Sequence, residues 1–515
     1  MKAKYIILFL IAGFLSHSSL AQKLVELPIE NSSKVVIKLM FRNGSICDPS
    51  GKEGLTYLTS ELIADGGTRG LSSSQIKEML YPTAATYYST CDKEVSIFTL
   101  EVHKDHLKIV YPLFKDLILS PAFSEEDFKR VKSNQLNYVD EVVKSSSDEE
   151  YSKKALEYYL YKDSPYQHLK QGSSAGVQSI TLDDVKKHHS QFFTSVNLVI
   201  GIAGSYSKEF ATSVAADFSM LSKETPRVPT VSNPPMPRGI NVNIISKKGA
   251  FGSAIYTGYP IDINRSREDF AALMIANSWM GEHRKSYSRL YQKIREARSM
   301  NYGDYTYIEW YENGGSNMLP VAGVPRSTNS FSIWIRPVQI AKGLKAQYEE
   351  LKNIEVGHAH FALRMAIREI DQLVYNGMTN EDFELTRTFL QSYTKLYAQS
   401  PGKRLGFLMD SKFYGRADYL SELDANLSKV TLTDVNQAIR KYFQTSNMEV
   451  VIVTDESEAE PLKKSLENNT VSPMSYNNSL KSVLTNEILE EDKQVENYKL
   501  NISKVSIINS DSMFK

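Results

Sequence analysis

Cysteine is nearly absent: Cys47 and Cys91 are the only two in 515 residues. One bridge cannot frame a chain of this size, which excludes a small disulfide-stapled scaffold. No histidine stands at ligand spacing from either cysteine, so they do not mark a zinc site. Whether they pair in an oxidising compartment, the sequence leaves open. An excess of charge of one sign is also missing. Sixty Lys and Arg balance sixty Asp and Glu, and nothing predicts nucleic-acid binding or a basic membrane-docking face. After residue 15 there are no long apolar runs. The one run present, YIILFLIAGFL at 5–15, is preceded by Lys2 and Lys4 and leads to Ser19-Leu20-Ala21, a small-x-small cleavage signal before Gln22. It is too short for a comfortable bilayer span, so residues 1–21 read as a secretory signal peptide. The expectation is an exported protein, periplasmic or secreted, with no lipid-anchor cysteine and no integral membrane segment.

What is present is an ordinary globular composition, 42% apolar and 10% aromatic. A mature chain of about 490 residues exceeds one core and suggests two to four domains. Residues 34–42 (KVVIKLMFR) read as a strand before an Asn43-Gly44 turn. Residues 54–67 form a helix with Leu55, Leu58 and Leu62 as its buried stripe and Gly66-Gly67 as its end. Residues 72–80, 125–143, 150–161 and 181–193 read as further helices, and 95–102 and 198–203 as strands. Residues 226–237 then hold five prolines in twelve positions without periodicity. Such a stretch is stiff and extended, and reads as a linker.

Beyond it the organisation repeats. ITLDDVKKHHSQFFTSVNLVI (180–200) matches VTLTDVNQAIRKYFQTSNMEVV (430–451), with Thr181 on Thr431, Asp184 on Asp434, Phe193 on Phe443 and Asn197 on Asn447. The offset is 431 − 181 = 250 throughout, which predicts two copies of one α/β unit. The expected division is 1–21 signal peptide, 22–225 first unit, 226–238 linker, 239–465 second unit, and 466–515 an extension packed on the second.

Two stretches carry candidate chemistry. On the 54–67 helix, Tyr57, Ser60 and Glu61 cluster away from the leucine stripe. Residues 288–305 (SRLYQKIREARSMNYGDY) place Leu290, Ile294 and Ala297 at helical spacing, leaving Arg295 off the stripe. Tyr302, Thr306, Ile308 and Trp310 then fall on one side of a period-2 run that reads as a strand. Alone, this cation and phenol favour packing over chemistry.

The run GKEGLTYLTSELIADGGTRGLSS resembles the region of the insulinase/pitrilysin family of zinc peptidases where a Gly-Leu start leads into H-x-x-E-H. The T-L-x-D-V-x-x-x-x-x-x-F-F segment and SRLYQKIREARSMNY resemble the same family, and with the first run they cover nearly the whole mature chain. The resemblance implies an α+β fold of two homologous domains, each a mostly antiparallel sheet faced by helices. In that motif two histidines one turn apart hold zinc and the glutamate polarises its water. Position by position, the histidines fall on Tyr57 and Glu61, the general base falls on Ser60, and the remaining glutamate ligand on Glu141. Neither H-x-x-E-H nor H-E-x-x-H occurs among the nine histidines. His188-His189 read as surface residues. His103 and His106 straddle a boundary around a lysine, and His358 and His360 could share a strand face without an acidic partner. Glu61 and Glu141 alone make a weak oxygen site.

By the same resemblance, Arg295 and Tyr302 match the pair that binds the scissile carbonyl across the chamber, where a fixed cation and a phenol stabilise the developing oxyanion. The expectation is therefore a non-catalytic subunit of an exported heterodimeric zinc peptidase. It binds no cofactor itself, and it lends Arg295 and Tyr302 to a homologous zinc-bearing partner acting on a peptide. The alternative is a catalytically dead peptidase fold used in binding or assembly. A third reading, an active peptidase with unorthodox ligands, requires stoichiometric zinc in the purified chain.

Overall fold

A computed structural model describes residues 24–283, 285–311, 322–397 and 399–515. The signal-peptide segment 1–21 lies outside the described residues. Two sheets organise the chain. The first has strands β1 (Leu24–Pro28), β2 (Lys34–Phe41), β3 (Thr86–Cys91), β4 (Ser96–His103) and β5 (Leu198–Gly204), in the order β1-β5-β2-β4-β3. The second has β6 (Ile240–Ser246), β7 (Gly252–Ile261), β8 (Asp304–Tyr307), β9 (Asn329–Gln339), β10 (Met448–Thr454) and β11 (Ile502–Asn509), in the order β11-β6-β10-β7-β9-β8. Remove β11 and the two orders coincide.

The pairings coincide as well. β1 runs parallel to β5 and β6 parallel to β10; every other pair within the repeat is antiparallel. The 250-residue offset maps β5 onto β10, and it maps the helix after Thr181 onto the helix after Thr431. Both threonines build a capping box with the aspartate three residues on, at nearly the same backbone angles. Each box satisfies two otherwise orphaned N–H groups, which is why the two sequences start their helices at matching positions.

The strands are buried on both faces, each for a different reason. On β2, Val35, Ile37, Leu39 and Phe41 point toward the helices Leu107–Leu119 and Lys208–Phe218. Val36 and Met40 point the other way, against Leu405 and Met409 of the helix Pro401–Phe413, which belongs to the second unit. That helix lies so close that a Cβ on Gly201 would stand 2.4 Å from Met409 Sδ. The second sheet mirrors this. Its inner side chains Tyr256, Trp334, Val451 and Val453 pack on the helix Asp148–Leu160 of the first unit. Each unit thus covers the inner face of the other's sheet with one of its own helices.

A buried ion network crosses the same interface. Arg326 bonds both Asp92 carboxylate oxygens at 2.7 Å and Glu157 at 2.7 Å. Glu157 also meets Lys93 at 3.4 Å. Residues 226–238 carry no helix or strand. After residue 465 the chain runs through the helix Asn486–Glu496 and joins sheet two as β11, parallel to β6. It then crosses to the first unit, where Phe514 packs against Tyr151 and Tyr158, and Ser174 N donates to the Phe514 carbonyl at 3.4 Å. Among the described residues no helix is long and apolar enough to cross a membrane.

Candidate functional site

The helix Leu55–Asp65 begins at Gly54, whose φ of +99° an L side chain rarely adopts. Asp48 fixes this start. Its Oδ2 accepts from Gly54 N at 2.7 Å, and its Oδ1 accepts from the N–H and hydroxyl of Thr56, both at 2.7 Å. A carboxylate there also suits the positive end of the helix dipole. Leu55, Leu58 and Leu62 bury their stripe against Phe128, Val131, Leu182 and Val185, as their spacing requires.

On the other face the three motif positions have separate fates. Ser60 is fully buried. Its hydroxyl bonds to Thr56 O at 2.9 Å and lies 3.2 Å from Ser96 Oγ, which in turn donates to Asn43 O. Glu61 is half-buried and accepts from Ser89 Oγ on β3 at 2.5 Å. Burial pushes its carboxyl above the ordinary range, and the Ser89 hydroxyl partly offsets this. Tyr57 is half-buried, and Glu141 is exposed on a π-helical turn, Tyr138–Val142. A phenol, a core-facing hydroxyl and a carboxylate tied to a serine supply no nitrogen donor, so these side chains do not fit a zinc ion. Among the described residues no group of three or more His, Cys, Asp or Glu side chains is placed to hold a metal.

The histidines correct the sequence reading. His188 is not on the surface: it is buried, its Nε2 lies 3.1 Å from Thr56 Oγ1, and its ring stacks on Phe192. Burial lowers its pKa to about 4. His189 likewise sits against Phe193 and the Ile118 carbonyl. His358 and His360 open the helix Ala359–Asn376 rather than sharing a strand, and His360 Nδ1 meets Ser465 Oγ at 2.9 Å. Cys47 and Cys91 stand as free thiols, both buried.

In residues 288–305, Leu290 and Ile294 are buried as their spacing indicated, but the turn is π-helical over Tyr291–Glu296. Arg295 remains about a third exposed. It donates to Glu296 Oε1 at 2.7 Å and lies 5.1 Å over the Tyr291 ring. The expected long strand is wrong. β8 covers only Asp304–Tyr307, and all four residues are buried, so no alternation survives. Tyr302 precedes the strand and is 77% exposed. Its presentation depends on the clamp below it. Asn301 Nδ2 donates to Asp304 Oδ1 at 2.8 Å and to Arg336 O at 3.0 Å, while its Oδ1 accepts from Gly303 N at 3.1 Å. A Cβ on Gly303 would meet the Tyr305 hydroxyl at 2.1 Å, so the turn needs glycine to bring Tyr305 inward and leave Tyr302 outside.

The sequence reading missed Arg298, which is fully buried. Its Nε donates to Asp492 Oδ1 at 2.7 Å, its Nη2 to Glu491 Oε2 at 2.9 Å, and its Nη1 to Lys293 O at 2.6 Å. Nothing local signals a partner almost two hundred positions away. At one edge of sheet one, β3 pairs, among the described residues, only with β4. Its free side borders a groove lined by Glu61, Lys77, Tyr81, Tyr87 and Tyr88.

Two family models match this arrangement: Insulinase (Peptidase family M16) over residues 25–168, and Peptidase M16 inactive domain over residues 179–390. The chain belongs to the insulinase family. Among curated relatives, this insulinase-family chain is 21% identical over 454 residues to "Non-peptidase homolog YmxG" of Helicobacter pylori, covering 86% of this chain and 95% of the relative. It is 20% identical to "Zinc protease PqqE" of the same organism, covering 84% and 90%. Among solved structures, a peptidase M16 inactive domain from Pseudomonas fluorescens superposes with a TM-score of 0.70 at 20% identity, over 84% of this chain and 95% of that one. A protease from Helicobacter pylori superposes at 0.67 with 16% identity, over 84% and 96%. The insulinase-family fold is thus present in both halves as an α+β pair. The inactive-domain model and the non-peptidase relative support a catalytically inactive peptidase fold.

Proposed function

We propose that this chain is the non-catalytic subunit of an exported, heterodimeric zinc peptidase, and that it lends Arg295 and Tyr302 to the zinc site of a homologous partner. The observation that carries the reading is an asymmetry. The motif face of the first unit is closed by Ser60 packing on Ser96, whereas Tyr302 is held outward and Arg295 stays accessible. A guanidinium and a phenol beside a polarised carbonyl would each donate to the oxyanion as it forms, and a donor of this kind is worth about 10²–10³ in kcat. The partner's zinc would supply the activated water. The free edge of β3, with its tyrosine-lined groove, suits a peptide that adds as an extended strand.

The test is co-purification of the exported chain with its partner, metal analysis of each subunit, and peptidase assay of the pair. Zinc should follow the partner. Arg295→Ala and Tyr302→Phe should each lower kcat by about 10²-fold; full activity in both would sink the proposal. The non-peptidase relative favours a second reading, a binding or assembly protein. It is the one supported if the isolated chain captures unfolded peptide but no zinc-bearing subunit accompanies it.

A further inference from the structure

The π-helical turn that carries Arg295 is an uncommon conformation. Relaxing it to α-helix would shift the register by one residue, which rotates the chain beyond the turn by about 100° and moves it about 1.5 Å along the axis. Something must hold it. Within the turn, Ala297 N reaches Gln292 O at 2.9 Å, the wide spacing of a π-helix, and the Lys293 carbonyl accepts the Arg298 guanidinium. The other two arms of that guanidinium are taken by Glu491 and Asp492, and Glu491 also bonds Lys293 Nζ at 2.6 Å. Asp492 is itself pinned by the Tyr476 hydroxyl at 2.7 Å. The middle of the turn, at Lys293, and Arg298 just past its end are therefore tied to one helix, Asn486–Glu496, which lies beyond residue 390, where the matched family region ends.

We propose that the helix Asn486–Glu496 is the positioning element for Arg295, with Glu491 and Asp492 acting through Lys293 and Arg298 to hold the π-register. These are positioning residues and touch no substrate. A buried guanidinium with two carboxylates is a rigid fork, because its planar donors fix both distance and direction. The consequence for reactivity rests on the proposed role of Arg295; the consequence for the turn does not.

The test replaces the pair with apolar side chains, Arg298→Met with Asp492→Leu, so that no charge is left buried alone. In the purified chain, amide exchange over residues 291–300 should accelerate at least tenfold while β3 and β4 stay protected. In the reconstituted pair, kcat should fall about 100-fold with KM unchanged, since a misplacement of about 1 Å costs that much. Should the double variant fail to fold, Glu491→Gln, which keeps a hydrogen-bonding side chain, should show the same pattern more weakly, and Glu491→Asp should restore part of it. Unchanged exchange at 291–300 in folded variants overturns the proposal, as does unchanged kcat when Arg295→Ala is itself inactive. If Arg295→Ala is fully active while exchange still accelerates, the role of Arg295 is what fails and the clamp stands.

Discussion

At the scale of single residues, burial decides more than type. His188 and His360 are both enclosed, and desolvation lowers their pKa values to about 4 and about 3. In the unfolded chain each would titrate near the ordinary value of 6.5. Below that pH the unfolded state binds more protons, so stability present above pH 6.5 is lost as pH falls toward 4. Each histidine contributes on the order of 3 kcal/mol to this loss. The urea midpoint should therefore drop between pH 7 and 4.5, and less so in His360→Asn. A second window lies lower. Burial alone would raise the Asp92 carboxyl, but Arg326 holds it down to about 2, so its stabilisation survives to about pH 4 and is lost between 4 and 2. Removing the cation should be severe: Arg326→Ala leaves Asp92 and Glu157 buried without it and should cost about 3–5 kcal/mol in chemical denaturation. None of these residues was legible from spacing. His188 lies in a run that reads as a polar helix face, and only the tertiary neighbour Thr56 reveals it as core.

At the scale of elements, the sequence marked starts better than extents. Thr181 and Thr431 announce their helices because a capping box is local chemistry, complete within four residues. The leucine stripe of Leu55–Asp65 was equally readable. β8 was not, because its four residues are buried on both faces and no period-2 signal separates them from the turn before. β11 falls in what the sequence marks only as an extension, since its identity as a strand comes from β6, more than 250 positions upstream. The same reasoning predicts the outcome of rebuilding the metal motif. Tyr57→His, Ser60→Glu and Glu61→His together would restore H-x-x-E-H, but position 60 faces Ser96 with no solvent. A glutamate there must bury its carboxylate, at a cost of several kcal/mol. The variant should lose stability on thermal melting and hold well below one zinc per chain by atomic emission.

For the whole molecule, the repeat was visible in the sequence but the exchange of helices between its copies was not. Neither inner sheet face is closed by its own unit. The Asp148–Leu160 helix serves sheet two, and the Pro401–Phe413 helix serves sheet one. Expressed alone, residues 22–225 and 239–515 would each expose an apolar sheet face and should be insoluble. Co-expressed, they should associate and recover native circular dichroism; two soluble monomers would contradict this. The crossing of Phe514 to Tyr151 and Tyr158 extends the dependence to residue 514. Translated in time, the Asp148–Leu160 helix is synthesised about 350 residues before the Phe514 ring that packs on it, a wait of roughly 20–70 s at elongation rates of about 5–20 residues per second. Until then the Tyr151 and Tyr158 rings lack their contact with Phe514. The first unit thus stays unfinished until residue 514 has been made, so the two halves are completed together rather than one at a time.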